Sequence, residues 1–283
     1  MIRCGYELVI THGNGPQVGN LLIQHECAQN MVPAQPLDVL GAMTQGQIGY
    51  MSQQTLINYL QQENMNKPVI SVITQVLVHK EDPDFQDPHK PVGPFYTFNE
   101  AEKLRKQKHY IIRKVKTVGK KVYRRVVPSP DPIKIVEGEA IRQLVDAGIT
   151  VIVSGGGGIP VIEENGEIRG VEAVIDKDLA AAVLAAFVHA DVLLMLTNIN
   201  NVFLNYGTPD QTPIEKMALE EAKRYLEEGH FLSGSMAPKV LAGIRFLEGG
   251  GEKAIIAHLN KAVDAIDGKA GTIIYNNLDQ RRT

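Results

Sequence analysis

Apolar positions fall into short β-branched runs that alternate with longer stretches of helical periodicity, the pattern of a mainly parallel sheet crossed by helices. Tyr6–Thr11, Lys67–Val78, Val151–Val153, Asp191–Asn201 and Lys253–His258 read as strands, and Thr272–Tyr275 as a short terminal one. Helices are predicted from Pro16 to about Asn30, from the small-residue stretch Gly41–Tyr50 to about Gln62, and over Glu137–Ala147, Leu179–Ala190, Ala218–Glu228 and 235–248. Small residues at Gly41, Ala42, Gly46 and Gly49 permit close packing, either inside the molecule or at a subunit interface. The pattern breaks at Asp82. Glu81–Tyr96 carries four prolines and reads as loop, Ala101–His109 as a short charged helix, and Ile111–Val127 as a polar, basic β-hairpin closed by Pro128–Pro132. Such an insertion between parallel-sheet units suits a lid over a ligand or, equally, a surface decoration.

Two strand–glycine turn–helix units stand out, and a parallel sheet presents its ligands at the strands' C-terminal ends. The first runs from Tyr6–Thr11 into His12-Gly13-Asn14-Gly15-Pro16, with Pro16 placed near the first turn of the helix. Taken alone, His12 reads as a turn histidine bonded to local backbone. The second runs from Val151–Val153 into Gly155–Gly158, makes a hairpin-like excursion over Pro160–Gly170, and closes on Asp176-Lys177-Asp178 before an alanine-rich helix. Backbone N–H groups in glycine turns approach phosphate oxygens without a Cβ in the way. Asp176 is a good N-cap. Lys177 in the first turn opposes the helix dipole at roughly 0.3–1 kcal/mol, a cost that a bound polyphosphate offsets. Without the glycine run, the triplet would read as a solvated lysine between two capping carboxylates.

Composition narrows the class. The 283 residues, 44% hydrophobic, allow a substantial core, and the net charge of −3 gives no support for a nucleic-acid partner. Cys4 and Cys27 have neither metal-ligand nor disulfide spacing and are expected to be buried or indifferent thiols in a reducing compartment. No apolar run reaches membrane-spanning length and no secretory signal is present, so a cytoplasmic protein without membrane contact is expected. The start looks unlike that of a complete domain, because Gly5 resembles a helix C′ glycine with no helix before it.

Taken together, HGNGPQVG at 12–19, QG..GY at 45–50, DP.F..P.KPVGPF at 82–95, RRVVPSP at 124–130, SGGGG at 154–158, VIDKD at 174–178 and GSM.PK at 234–239 resemble the carbamate kinases of the amino-acid kinase family, in order over nearly the whole chain. The resemblance implies an α/β fold, a three-layer αβα sandwich with a mainly parallel central sheet, in which residues 1–283 form one domain and residues 82–130 an inserted lid. It implies a homodimer, and reversible phosphoryl transfer between ATP and carbamate giving ADP and carbamoyl phosphate, with Mg²⁺ accompanying the nucleotide and often in the service of arginine breakdown. Residue by residue, it places Lys177 and Lys239 beside the transferring phosphoryl group, Asp178 as the holder of both ammonium groups, and Lys90 toward carbamoyl phosphate. Gly13, Asn14, Gly15, Gly155 and Gly156 would give donors to the small substrate, and Asn198, Tyr206, Ser235 and Met236 would meet the nucleotide. No protein metal ligand is implied. The Lys90 loop and the Asp-Lys-Asp triplet do not belong to the patterns of the kinases acting on acetylglutamate or aspartate. The family's first strand, its Gly-Gly-Asn-Ala loop and its first long helix have no counterpart in the sequence. The alternative expectation is therefore a catalytically impaired remnant that binds nucleotide or dimerises.

Overall fold

A computed structural model describes residues 1–231 and 236–276. The chain divides into two units, Glu7–Ala180 and Met1–Tyr6 with Ala181–Thr283.

The first unit opens with β1 (Val9–Ile10), α1 (Gly15–Ala28), α2 (Leu37–Gln62), β2 (Val69–Ser71) and β3 (Gln75–Leu77). There follow β4 (Lys90–Tyr96), α3 (Phe98–Lys108), β5 (Ile112–Lys114), β6 (Tyr123–Val127), β7 (Lys134–Ile135), α4 (Gly138–Asp146), β8 (Thr150–Ile152), β9 (Ile159–Glu164), β10 (Glu167–Gly170) and the start of α5 (Lys177–Phe187). β8 lies between β1 and β2, parallel to both, and its three residues are buried. That position explains its unbroken β-branched sequence. A second sheet has the order β10-β9-β3-β7, with β3 and β9 parallel. The β9–β10 turn is Asn165-Gly166, both at positive φ (54° and 81°), the signature of a two-residue hairpin.

Three expectations are revised here. The run Lys67–Val78 is two strands in different sheets; between them the Gln45 side chain accepts the Thr74 N–H at 2.8 Å and donates to the Thr74 C=O at 3.0 Å, a carbonyl that also accepts the Ile159 N–H of β9 at 2.9 Å. α2 starts at Leu37, where Glu172 accepts the Leu37 N–H (2.9 Å) and supplies the cap that Pro36 cannot. The proline-rich segment, read as loop, contains the seven-residue strand β4. β4 is the edge of a three-stranded antiparallel sheet, β4-β6-β5, with an irregularity between Val92 and Tyr96, and an edge tolerates Pro91 and Pro94. α3 follows, started by a Thr97/Glu100 capping box. This small sheet is rooted by Val92 and Val127, which pack with Val18 and Leu22 of α1 and Leu37 and Leu40 of α2 in one apolar cluster.

The second unit contains β11 (Val192–Thr197), β12 (Val202–Leu204), β13 (Thr212–Ile214), β14 (Lys216–Ala218), α6 (Leu219–Glu227), α7 (Met236–Glu248), β15 (Lys253–His258), α8 (Ala262–Ile266) and β16 (Thr272–Tyr275). Its sheet has the order β11-β15-β16-β14; β11 runs parallel to β15, and β16 antiparallel to β15. Ile255, Ile256 and Ile274 are its fully buried centre. A single 3₁₀ turn, Ile2–Cys4, precedes Gly5, whose φ of 86° makes it the C-cap that its sequence suggested. Cys4 and Cys27 are exposed free thiols rather than buried ones. No helix among the described residues is long and apolar enough to cross a membrane.

Candidate active site

The parallel pairing of β1 with β8 brings their following turns side by side. The Gly156 N–H donates to the His12 carbonyl at 2.7 Å. A Cβ at Gly155 would lie 2.4 Å from the His12 ring, and one at Gly156 2.2 Å from Asn14 Nδ2. Glycine is therefore required at both positions by close approach, and at Gly156 also by a φ of +68°. Ser154, buried at the entrance to this turn, is itself left-handed (φ 51°), a local strain of the kind found at functional sites. Its N–H is held by Thr74 Oγ1 at 3.0 Å. Asn14 is oriented from α2: its Nδ2 donates to Thr44 Oγ1 (2.9 Å), whose hydroxyl donates to the Gly41 carbonyl (2.7 Å). His12 faces its neighbour's backbone, Nδ1 to Gly13 O at 3.0 Å, as the local reading expected. Burial pushes its pKa down and the bond to Gly13 partly opposes that.

The start of α5 adds the charges. Asp176 caps the helix with Oδ1, which accepts the N–H groups of Asp178 (2.9 Å) and Leu179 (3.4 Å). Its Oδ2 accepts a bond from Lys90 Nζ at 2.8 Å, from the first residue of β4. Burial pushes the Asp176 carboxyl up, but the Lys90 ammonium and the capping N–H groups outweigh it and leave the pKa below the usual range. Lys177 Nζ donates to Asp178 Oδ1 at 2.8 Å, and Asp178 is buried. The Lys177 stem runs over Gly13, where an added Cβ would meet its Cδ at 3.4 Å.

Within the first unit, then, Lys90, Lys177, Asp178, Gly13, Asn14, Gly155 and Gly156 come together, with Gly15 opening α1 beside them. In the second unit Lys239 lies in the first turn of α7 and is 3% exposed, and Met236 is that helix's first residue. Asn198 follows β11 and is exposed, and Tyr206 is exposed with its ring 6.0 Å from Phe203. Ser235 lies outside the described residues. The sequence reading passed over the buried polar groups behind the turns, Thr44, Gln45 and Thr74. It gave Asp176 no role besides capping. The sequence signal for Gln45 was its place at the head of the QG..GY stretch.

The model of the amino acid kinase family matches residues 2–258. The chain belongs to the amino acid kinase family. Carbamate kinases are among the proteins that it resembles. The carbamate kinase of Pyrococcus horikoshii is 57% identical over 274 residues, covering 96% of this chain and 86% of that protein. Carbamate kinase 2 of Enterococcus faecalis is 49% identical, covering 95% and 86% respectively. A solved carbamate kinase from Giardia lamblia bound to AMP-PNP superposes with a TM-score of 0.90 at 44% identity, over 98% of this chain and 87% of that one.

For an amino acid kinase, the donor set is informative. Among the described residues there is no group of three or more His, Cys, Asp or Glu suited to a metal ion. The two carboxylates at the start of α5 are each engaged by a lysine. What the turns and the helix offer is positive charge and N–H donors, which suit phosphate oxygens.

Proposed function

We propose that this chain is a carbamate kinase, catalysing reversible phosphoryl transfer between ATP and carbamate to give ADP and carbamoyl phosphate. The observation that carries the reading is the pair of lysines, Lys90 and Lys177, held by Asp176 and Asp178 at the start of α5 against two glycine turns. Phosphoryl transfer asks for positioning and for positive charge on oxygens that gain charge in the transition state. A carbamate oxygen forms the new bond to phosphorus as the bond to the bridging oxygen of ADP breaks. Carbamate is already anionic, so no side chain need accept a proton.

Lys177 and Lys239 are assigned to the transferring phosphoryl group, Asp178 to holding them, and Lys90 to carbamoyl phosphate. Donors for the small substrate come from Gly13, Asn14, Gly15, Gly155 and Gly156. Asn198, Tyr206, Ser235 and Met236 are assigned to the nucleotide. Mg²⁺ fits this donor set as a passenger on nucleotide phosphates and water, where it would neutralise phosphate charge. The enzyme is assigned to the cytoplasm, in arginine breakdown. A homodimer is assigned through α2, where Met43, Tyr50 and Met51 are exposed and a Cβ on Gly46 would meet nothing within 4 Å. Gly49, by contrast, packs internally on Ser71.

The test is ATP formation from ADP and carbamoyl phosphate by the purified, folded 283-residue chain. Turnover that disappears when carbamoyl phosphate is replaced by acetylglutamyl phosphate or aspartyl phosphate is expected. A folded chain that binds ADP without turnover would return the remnant reading.

A further inference from the structure

We propose that Asp176 is a positioning residue for the lid lysine: beyond capping α5, its second carboxylate oxygen holds Lys90 in place for carbamoyl phosphate. The inference rests on the role assigned to Lys90 above. Its ground is the division of labour within one carboxylate. Oδ1 is committed to the helix N-terminus through Asp178 and Leu179, and Oδ2 is committed to Lys90 Nζ at 2.8 Å. A lysine side chain is a flexible four-carbon stem ending in a strongly hydrated charge. Lys90 begins an edge strand and its side chain is 36% exposed, so nothing about β4 fixes where the ammonium goes. Asp176, 14% exposed and locked by its capping bonds, does fix it.

The surrounding contacts make this tie specific. The segment before α5 meets the root of the β4-β6-β5 sheet at three points. Val174 N–H donates to Pro128 O (3.0 Å), Arg125 Nη2 donates to Glu172 Oε2 (2.9 Å), and Lys90 donates to Asp176. The first two hold the sheet as a body. Only the third holds a residue with a role at the substrate, and it attaches that residue to the same helical turn that carries Lys177 and Asp178. The two ion pairs lie on successive carboxylates, Asp176 with Lys90 and Asp178 with Lys177, so each ammonium is presented from a fixed anchor.

The experiment separates capping from positioning. Asn caps a helix as well as Asp does, but in Asp176→Asn an amide or a neutral oxygen faces the lysine in place of a carboxylate. Asp176→Ser is a second capping variant, in case the first does not fold. Steady-state kinetics in the ATP-forming direction would be measured for Asp176→Asn, Lys90→Ala, the double variant and Glu172→Gln, with thermal melts alongside. We expect Asp176→Asn to raise the KM for carbamoyl phosphate about tenfold while the KM for ADP stays put, and the double variant to be no worse than Lys90→Ala alone. Additive effects in the double variant, equal shifts for both substrates, or the same selective loss in Glu172→Gln would overturn the proposal. So would a normal Asp176→Asn beside an impaired Lys90→Ala. If Lys90→Ala itself uses carbamoyl phosphate normally, it is the role of Lys90 that fails, and the positioning proposal falls with it.

Discussion

At the scale of single residues, the site depends on what is not there as much as on its charges. Gly156 combines a φ of +68° with the Asn14 amide 2.2 Å from where a Cβ would sit. In Gly156→Ala the left-handed conformation costs about 1–2 kcal/mol, and Asn14 is pushed from its bond to Thr44. The expected result is a KM for carbamoyl phosphate raised by about an order of magnitude, read by kinetics on a variant whose circular dichroism is unchanged. Lys239 poses the opposite question, because it is a charged residue only 3% exposed, in the first turn of α7. Lys239→Met keeps the volume and removes the charge. If Lys239 serves the phosphoryl group, kcat falls by about 10²–10³ while the fold survives. A Met variant with near-normal kcat would take Lys239 out of the mechanism.

At the scale of elements, the inserted sheet is where sequence and structure differ most. Its four prolines made Glu81–Tyr96 look like loop, since proline count says nothing about whether the strand lies at an edge; β4 does, and there the missing N–H groups are harmless. The hairpin partners β5 and β6 and the charged helix α3 were legible from local pattern, but the helix was expected from Ala101 and starts at Phe98, where the Thr97/Glu100 capping box sets it. Two tyrosines, Tyr96 at the end of β4 and Tyr110 before β5, are partly buried beside the sheet. Tyr110 OH donates to Glu26 Oε1 at 3.0 Å, and the Arg125 guanidinium lies 4.1 Å from the Tyr110 ring centroid. Burial first, then the Glu26 carboxylate, pushes Tyr96 up to about 12. Burial also pushes Tyr110 up to about 12, against the opposing pull of Arg125. Phenols with raised pKa values stabilise the fold fully below their ordinary range near 10, and that contribution is lost as pH rises through about 12. Titration followed by absorbance near the phenolate band should therefore show a late-ionising subset among the nine tyrosines. Phenylalanine at 96 and 110 should remove it. Full ionisation by pH 11 in the folded protein would contradict the packing described for this sheet.

At the scale of the whole molecule, most of what was legible came from residues whose chemistry is local: the glycine turns, the capping aspartate, the β-branched strands. What was not legible depended on distant partners. Asp176 looks like a cap until Lys90, eighty-six positions away, is seen on its other oxygen. At the break in Lys67–Val78, Gln45 of α2, twenty-nine positions away, reaches Thr74. The hairpin β12–β13 and the strand β14 carry no strong period in so few residues. Charge shows the same contrast between total and distribution. The net −3 suggested no basic face, yet residues 98–127 hold eleven of the chain's 29 Lys and Arg and only two of its 32 Asp and Glu. Lys114, Lys120 and Lys121 in this segment are exposed. The same small sheet begins with Lys90, so its positive field extends from the site outward, and the substrates assigned to the enzyme are all anions. A basic projection on an otherwise acidic protein draws such substrates in, an effect that acts on association and weakens with salt. Replacing Lys114, Lys120 and Lys121 together with Gln is expected to lower kcat/KM at low ionic strength by about three- to tenfold, leave kcat intact, and flatten the salt dependence. Identical salt profiles for the variant and the parent would mean that the basic segment does not act through its field, and that its charge serves the aromatic contacts of the sheet instead.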